Sequence, residues 1–263
     1  MKLGFIGSGN MATAMMGGII KNGIVKAEDI YASDASKQQI EKVQTLGVVG
    51  TNSNVYVVNH CDVVVLSVKP QYYETVIQEI KSTVRDNQII ITIAPGKTLN
   101  WLREQFGKDV KLVRTMPNTP ALVGEGITGA CHNDMITEED LEIACNILRG
   151  FGEVEVLPEH LLDVVVSVSG SSPAYVFMFI EAMADAAVAD GMPRQQAYKF
   201  AAQAVLGSAK MVLETKKHPG ELKDMVCSPG GTTIEAVRIL EEKGMRSSVI
   251  EAMKACTKKA KGL

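Results

Sequence analysis

Aromatic side chains are scarce: they make up 5% of the 263 residues, and Trp101 is the only tryptophan. So few rings supply neither a base-stacking platform nor the aromatic belt of a membrane protein. Positive charge is also short, with 27 Lys and Arg against 30 Asp and Glu, a net charge of −3. That leaves no basic footprint for nucleic acid or an anionic membrane. The five cysteines (Cys61, Cys131, Cys145, Cys227, Cys256) are odd in number, scattered and without a CxxC pair. They argue against a disulfide framework and against a zinc knuckle, and a cytoplasmic location is expected. The four histidines form no HExxH or other paired spacing, so no metal centre is expected. The longest apolar stretch, residues 173–189, is broken by Glu181 and Asp185 and falls short of the ~18 residues expected of a membrane span. The opening Met1-Lys2-Leu3-Gly4 reaches glycine too early for a signal peptide. A soluble protein with no nucleic-acid or membrane partner is expected.

What is present is enough apolar material, 46% of residues, for a sizeable core. Flat β-branched runs at 3–7, 29–33, 63–68, 89–94, 112–116 and 154–157 read as strands buried on both faces. Helical patterns at 11–22, 37–46 and 72–84 lie between them. This alternation predicts a doubly wound α/β domain with a mostly parallel sheet over residues 1–160. Residues 161–263 predict an all-helical domain: a helix over 174–190, a second opened by Pro193 at its first position and running to about 217, a third from Thr232 and a fourth from Ser248. Ser248 with Glu251, and Thr232 with Glu235, have the spacing of a capping box. Helices this apolar all round predict a partner subunit, hence a homodimer at least, with packing on the first domain alone as the plain alternative.

Gly7-Ser8-Gly9-Asn10-Met11-Ala12 is a G-x-G-x-x-A sequence placed directly after the first strand. Gly7 serves the tight turn, Gly9 lets backbone meet a pyrophosphate, and Ala12 lets helix and strand pack closely. Dinucleotide binding follows, with a glycine-rich turn of no ligand significance as the plain alternative. The sequence permits NADPH, NADH or both. Ser33 leaves room for a 2′-phosphate, whereas the adjacent Asp34 could hold a ribose diol. Ser67-Val68-Lys69-Pro70 and Ile93-Ala94-Pro95-Gly96 follow later strands, where ligands of parallel sheets bind. In the second half, Ser228-Pro229-Gly230-Gly231-Thr232-Thr233 exposes backbone N–H groups as a nest suited to a carboxylate. An ordinary capped helix is the alternative there.

The stretches Phe5 to Met11, Val68-Lys69-Pro70, Met116-Pro117-Asn118-Thr119-Pro120-Ala121, Val168 to Tyr175 and Leu222 to Thr233 together carry a resemblance to the pyrroline-5-carboxylate reductases, over essentially the whole chain. The resemblance implies NAD(P)H-dependent reduction of 1-pyrroline-5-carboxylate to L-proline, the last step of proline synthesis. It also implies an N-terminal Rossmann domain and a helical domain that dimerises, with dimers assembled into a larger ring. By position it puts cofactor contacts on Ile6, Gly7, Ser8, Gly9, Asn10, Met11, Asp34, Asn54, Ser67, Val68, Lys69, Pro70, Ile93, Ala94 and Pro95. Substrate contacts fall on Glu159, Ser228, Gly230, Gly231, Thr232 and Thr233, with Thr233 near the ring nitrogen and Glu159 favouring the iminium. Two departures stand out. Pro95 replaces an alanine of many relatives and removes a backbone donor, and Asp34 replaces a small neutral residue. Another Rossmann-plus-helical reductase would need a lysine or aspartate on the helix after residue 173, and the charged residues there are Glu181 and Asp185. A dinucleotide-sensing dimer without chemistry is the non-enzymatic alternative.

Overall fold

The computed structural model describes residues 1–262. It divides into two compact units, Met1–Ser171 together with Cys256–Leu263, and Ser172–Ala255.

In the first unit β1 (Leu3–Ile6), α1 (Asn10–Lys21), β2 (Ile30–Ser33), α2 (Lys37–Gln44), β3 (Val49–Thr51) and α3 (Asn54–His60) lead to β4 (Val63–Leu66). The chain continues through α4 (Tyr73–Ile80), β5 (Ile89–Thr92), α5 (Leu99–Phe106), β6 (Lys111–Met116), β7 (Gly126–His132), α6 (Glu138–Arg149), β8 (Gly152–Val156) and the short α7 (Leu162–Val165). The strands form one sheet in the order β3-β2-β1-β4-β5-β6-β7-β8. Every pairing is parallel except β6 with β7.

The doubly wound character follows from the side-chain alternation of the central strands. Phe5, Val65, Ile91 and Val113 face one layer, covered by Met15, Met16 and Ile19 of α1 and Ile147 and Leu148 of α6. Ile6, Val64, Leu66, Ile90 and Leu112 face the other, covered by Val57 of α3, Ile77 and Ile80 of α4 and Leu102 and Phe106 of α5. Strands buried on both faces read as unbroken β-branched runs, which is why β1, β4, β5 and β6 are visible in the sequence.

Two strands are not. β3 is three residues long and only half-buried, and β7, Gly-Ile-Thr-Gly-Ala-Cys-His, carries two glycines and no apolar run. β7 turns back antiparallel on β6 after a short connection, as only an antiparallel neighbour can.

The second unit is helical: α8 (Ser172–Ala189), α9 (Arg194–Thr215), α10 (Pro219–Val226), α11 (Thr232–Glu242) and α12 (Met245–Ala260), whose last turn belongs to the first unit. There Thr257 Oγ1 donates to Ser167 Oγ at 2.8 Å.

Three expectations are corrected. Pro193 precedes α9 as its N-cap rather than standing at its first position. α12 starts before Ser248, whose hydroxyl bonds back to the Gly244 carbonyl at 3.0 Å, while Glu251 pairs with Lys254. And the helical stretch Glu159–Ala189, 31 residues long, is long and apolar enough to cross a membrane by length and composition alone. That test weighs little for a single helix, because helices buried in soluble assemblies pass it as well.

Candidate active site

The strand order reverses between β1 and β4, and the crevice at their carboxyl ends is where open α/β sheets bind ligands. A cleft of about 480 Å³ lies there, bordered by Gly7, Gly9, Asp34, Asn54, Ser67 and Lys69 among others. That volume is typical of small-molecule sites, which run from ~300 to ~1,000 Å³.

The turn out of β1 is held from both sides. Gly7 donates its N–H to the Ser33 carbonyl at 2.8 Å, and Ser67 Oγ donates to the Gly7 carbonyl at 2.6 Å. Gly7 has φ +95°, and a Cβ there would lie 2.8 Å from the Ser67 carbonyl oxygen. Position 7 therefore accepts no side chain. At Gly9 a Cβ would meet nothing within 4 Å. Gly9 is the N-cap of α1, no side chain caps that helix, and its first turn holds no acidic residue. The unpaired N–H groups of α1 thus open onto the cleft, an arrangement that fits a pyrophosphate. Ile6 is buried at the strand end, whereas Asn10 is exposed and Met11 half-buried at the start of α1.

Ser8 is buried, and its N–H donates to Asp34 Oδ2 at 2.8 Å. Ser33 is fully buried as well and donates to Asn54 Oδ1 at 2.7 Å, while Asn54 Nδ2 donates to Glu79 Oε2 at 2.7 Å. Val68 and Pro70 are half-buried and Lys69 is exposed at the mouth of the cleft. Ile93, Ala94 and Pro95 follow β5, with Ala94 buried and Pro95 exposed.

Tyr73, which nothing in the sequence pattern singles out, ties these edges together. Its buried hydroxyl donates to the Leu66 carbonyl at 2.5 Å and accepts the Ile93 N–H at 3.3 Å. Burial pushes its pKa above the ordinary phenol range, so it stays a neutral donor.

Glu159 sits in the first unit with its Oε1 engaged twice: by Arg114 Nη1 at 2.8 Å and by the Leu99 N–H at 2.7 Å. Arg114 also approaches Asp163 Oδ1 at 3.5 Å. Arg114, an arginine inside a central strand, is the second group the sequence pattern did not mark.

On the second unit, Ser228, Gly230, Gly231, Thr232 and Thr233 form one turn into α11. Gly230 has φ +67°, the Gly231 N–H donates to the Ser228 carbonyl at 3.0 Å, and a Cβ at Gly231 would lie 2.3 Å from Ser228 Oγ. The expected capping box is not formed. Gly231 is the N-cap, Thr232 and Thr233 are the first two helical residues, and no side chain caps the helix. Glu235 is drawn away by Arg238, whose Nη2 donates to it at 2.7 Å. The backbone N–H groups at the start of α11 are consequently left for an anion.

The whole chain aligns with the pyrroline-5-carboxylate reductase of Escherichia coli (strain K12) at 53% identity, over 100% of this chain and 98% of that one. The chain belongs to the pyrroline-5-carboxylate reductase family. The family description "pyrroline-5-carboxylate reductase dimerisation" matches residues 159–263, and "NADP oxidoreductase coenzyme F420-dependent" matches residues 2–96. Among solved structures, the chain is similar to a pyrroline-5-carboxylate reductase from Coxiella burnetii, with TM-score 0.92 and 34% identity over 99% of this chain and 97% of that one. It is also similar to the Plasmodium falciparum pyrroline carboxylate reductase with NADP bound, with TM-score 0.91 and 33% identity over the same shares. The dimerisation match covers α8 and α9, where Phe177, Met178, Phe200 and Leu213 are each more than 60% exposed in the single chain. The exposed apolar residues of these helices thus lie within the segment that the dimerisation description matches.

Proposed function

We propose that the chain reduces the C=N bond of 1-pyrroline-5-carboxylate to give L-proline, with NADPH as reductant and NADH as a second one. The full-length match to the Escherichia coli enzyme carries this reading, and the cleft at Gly7 and Gly9 is its physical counterpart. Bound there, the reduced nicotinamide supplies the hydride that converts the cyclic iminium into a secondary amine.

The chain's own part is placement and electrostatics. The N-terminus of α1 beyond Gly9 holds the pyrophosphate, and Asn54, Ser67 to Pro70 and Ile93 to Pro95 line the remainder of the dinucleotide. On the helical unit, the N–H groups at Thr232 and Thr233 grip the substrate carboxylate, on a turn shaped by Ser228, Gly230 and Gly231. The Thr233 hydroxyl then lies beside the ring nitrogen. Glu159, held rigid by Arg114, adds the negative charge that favours the protonated imine, the electrophilic form. No separate general acid is needed when the iminium binds already protonated.

The active form is a homodimer, with dimers joined into a larger ring, and it works in the cytoplasm. The test is direct: mix protein, NADPH and pyrroline-5-carboxylate and follow loss of the reduced cofactor together with appearance of proline. Folded protein that consumes no NADPH with this imine overturns the reading.

A further inference from the structure

We infer that Arg114 is a positioning residue for hydride transfer: acting through Glu159, it fixes the start of α5 and so the segment 94–98 beside the dinucleotide. This role presupposes the imine reduction proposed above and adds how one wall of the cleft keeps its shape.

Segment 94–98 leaves β5, two strands from the β1 turn on the side away from β2. It is a bridge hung from two anchors. At its front end the Ile93 N–H is shared between the Tyr73 hydroxyl at 3.3 Å and the Leu66 carbonyl at 3.4 Å. At its far end α5 begins, and the N–H groups of a first helical turn need acceptors from outside the helix. Thr98 Oγ1 accepts the Trp101 N–H at 3.1 Å, and Glu159 Oε1 accepts the Leu99 N–H at 2.7 Å. Between the anchors Pro95 and Gly96 are exposed, and a Cβ at Gly96 would meet nothing within 4 Å. The bridge therefore takes its place from its ends.

Glu159 holds the far end only while something aims it. Arg114 does so from β6, a strand paired on both sides, with its own side chain 5% exposed. Its Nη1 donates to the same Oε1 at 2.8 Å, and its Nη2 faces Asp163 Oδ1 at 3.5 Å. A charged donor in fixed geometry sets the direction of the carboxylate. Without the guanidinium, Asp163 repels Glu159, and the Leu99 N–H loses an oriented acceptor. Hydride transfer is sensitive to such slack, since a misplacement of about 1 Å can cost ~100-fold in rate.

Trp101, the only tryptophan, reports on this anchor without turnover: it lies in the first turn of α5, packed on the core, with Lys97 Nζ 3.9 Å from its ring centre. Its emission should move to longer wavelength in Arg114→Gln and in Glu159→Ala. Stopped-flow loss of NADPH absorbance in the first turnover, at saturating imine and per folded site, reads the transfer itself. It should slow about tenfold or more in Arg114→Gln, while NADPH affinity stays within about threefold of the parent. Arg114→Lys, whose ammonium serves one carboxylate rather than two, should recover most of that rate. In a Glu159→Gln background, Arg114→Gln should slow transfer by less than about threefold, because the two residues act as a unit.

Transfer within about threefold of the parent in Arg114→Gln overturns the inference, as does an equal loss in both backgrounds. No recovery in Arg114→Lys, or slowed transfer with unmoved Trp101 emission, overturns it too. Where Arg114→Gln does not fold, Glu159→Ala decides, and an unmoved emission there overturns the anchor. Wild-type protein that transfers no hydride to the imine removes the functional reading, and this inference with it.

Discussion

Arg114 and Glu159 form an ion pair at 2.8 Å inside the first unit, with the arginine side chain 5% exposed and the glutamate 32% exposed. The same glutamate oxygen accepts the first N–H of α5, at Leu99. One carboxylate thus fastens a central strand, a helix start and the segment that leaves β8. With its arginine end buried, the pair matters most through what the loss of the cation leaves behind, two neighbouring carboxylates without compensation.

Arg114→Met should therefore destabilise the protein by about 3–5 kcal/mol, because Glu159 and Asp163 would be left facing each other without a cation. Urea unfolding measures it. A loss below about 1 kcal/mol would mean that water already satisfies both carboxylates.

The two glycines of the N-terminal turn should respond differently. Gly7→Ala forces a Cβ to within 2.8 Å of the Ser67 carbonyl at φ +95°, so the variant should lose thermal stability or fail to fold. Gly9→Val projects into open space, so its melting temperature should hold while affinity for either dinucleotide falls at least tenfold. A folded Gly9→Val that binds normally would displace the phosphates from α1.

Neither Thr232 nor Thr233 caps α11, so alanine at either position should leave the melting temperature nearly unchanged. Activity should separate them. Thr233→Ala, losing a hydrogen bond to a charged nitrogen worth about 1.5–3 kcal/mol, should reduce kcat/KM for the imine ten- to a hundredfold. Dinucleotide affinity should stay put in both. Equal activity of Thr233→Ala and wild type removes the hydroxyl from the chemistry.

The sheet and its ligand turn were legible because buried parallel strands leave β-branched runs, and because a turn at φ +95° admits only glycine. β7 left no trace, since its two glycines serve close approaches rather than a hydrophobic face: a Cβ at Gly126 would meet the Phe151 carbonyl oxygen at 2.8 Å, and one at Gly129 the Leu162 and Val165 side chains at 3.1 Å. The capping box at Thr232 was a spacing coincidence, undone by an exposed arginine three residues beyond Glu235. Arg114 escaped notice because a charged residue within an apolar strand shows its purpose only when Glu159 and Asp163, 45 and more residues away, arrive beside it.

Assembly should be visible in solution. With Phe177, Met178, Phe200 and Leu213 more than 60% exposed in a single chain, light scattering should give at least twice the 28.3 kDa chain mass. A monomer at micromolar concentration would contradict it.

Acid should find a weak point at Asp140. Burial alone would raise this carboxyl, but bonds from Lys111 and Thr137 outweigh it and hold the group below its ordinary range. Stability from such a group is present above the unfolded carboxylate value and is lost as pH falls through the lower, folded one. Asp140→Asn should cost about 1 kcal/mol at neutral pH, through loss of the charge that Lys111 pairs with at 2.7 Å. The gap between variant and parent should close below about pH 4. A constant gap across pH would assign the cost to packing alone.

The Tyr73 hydroxyl has a mechanical consequence. Because one phenol bonds the ends of both β4 and β5, the carboxyl edge of the sheet is pinned there by a side chain in addition to the strand ladder, like a rivet through a seam. Tyr73→Phe keeps the ring and the filled core but draws the rivet. The loop after β5 then keeps only its backbone bond to Leu66, and a hydride transfer that depends on near-contact geometry would slow while the fold stands.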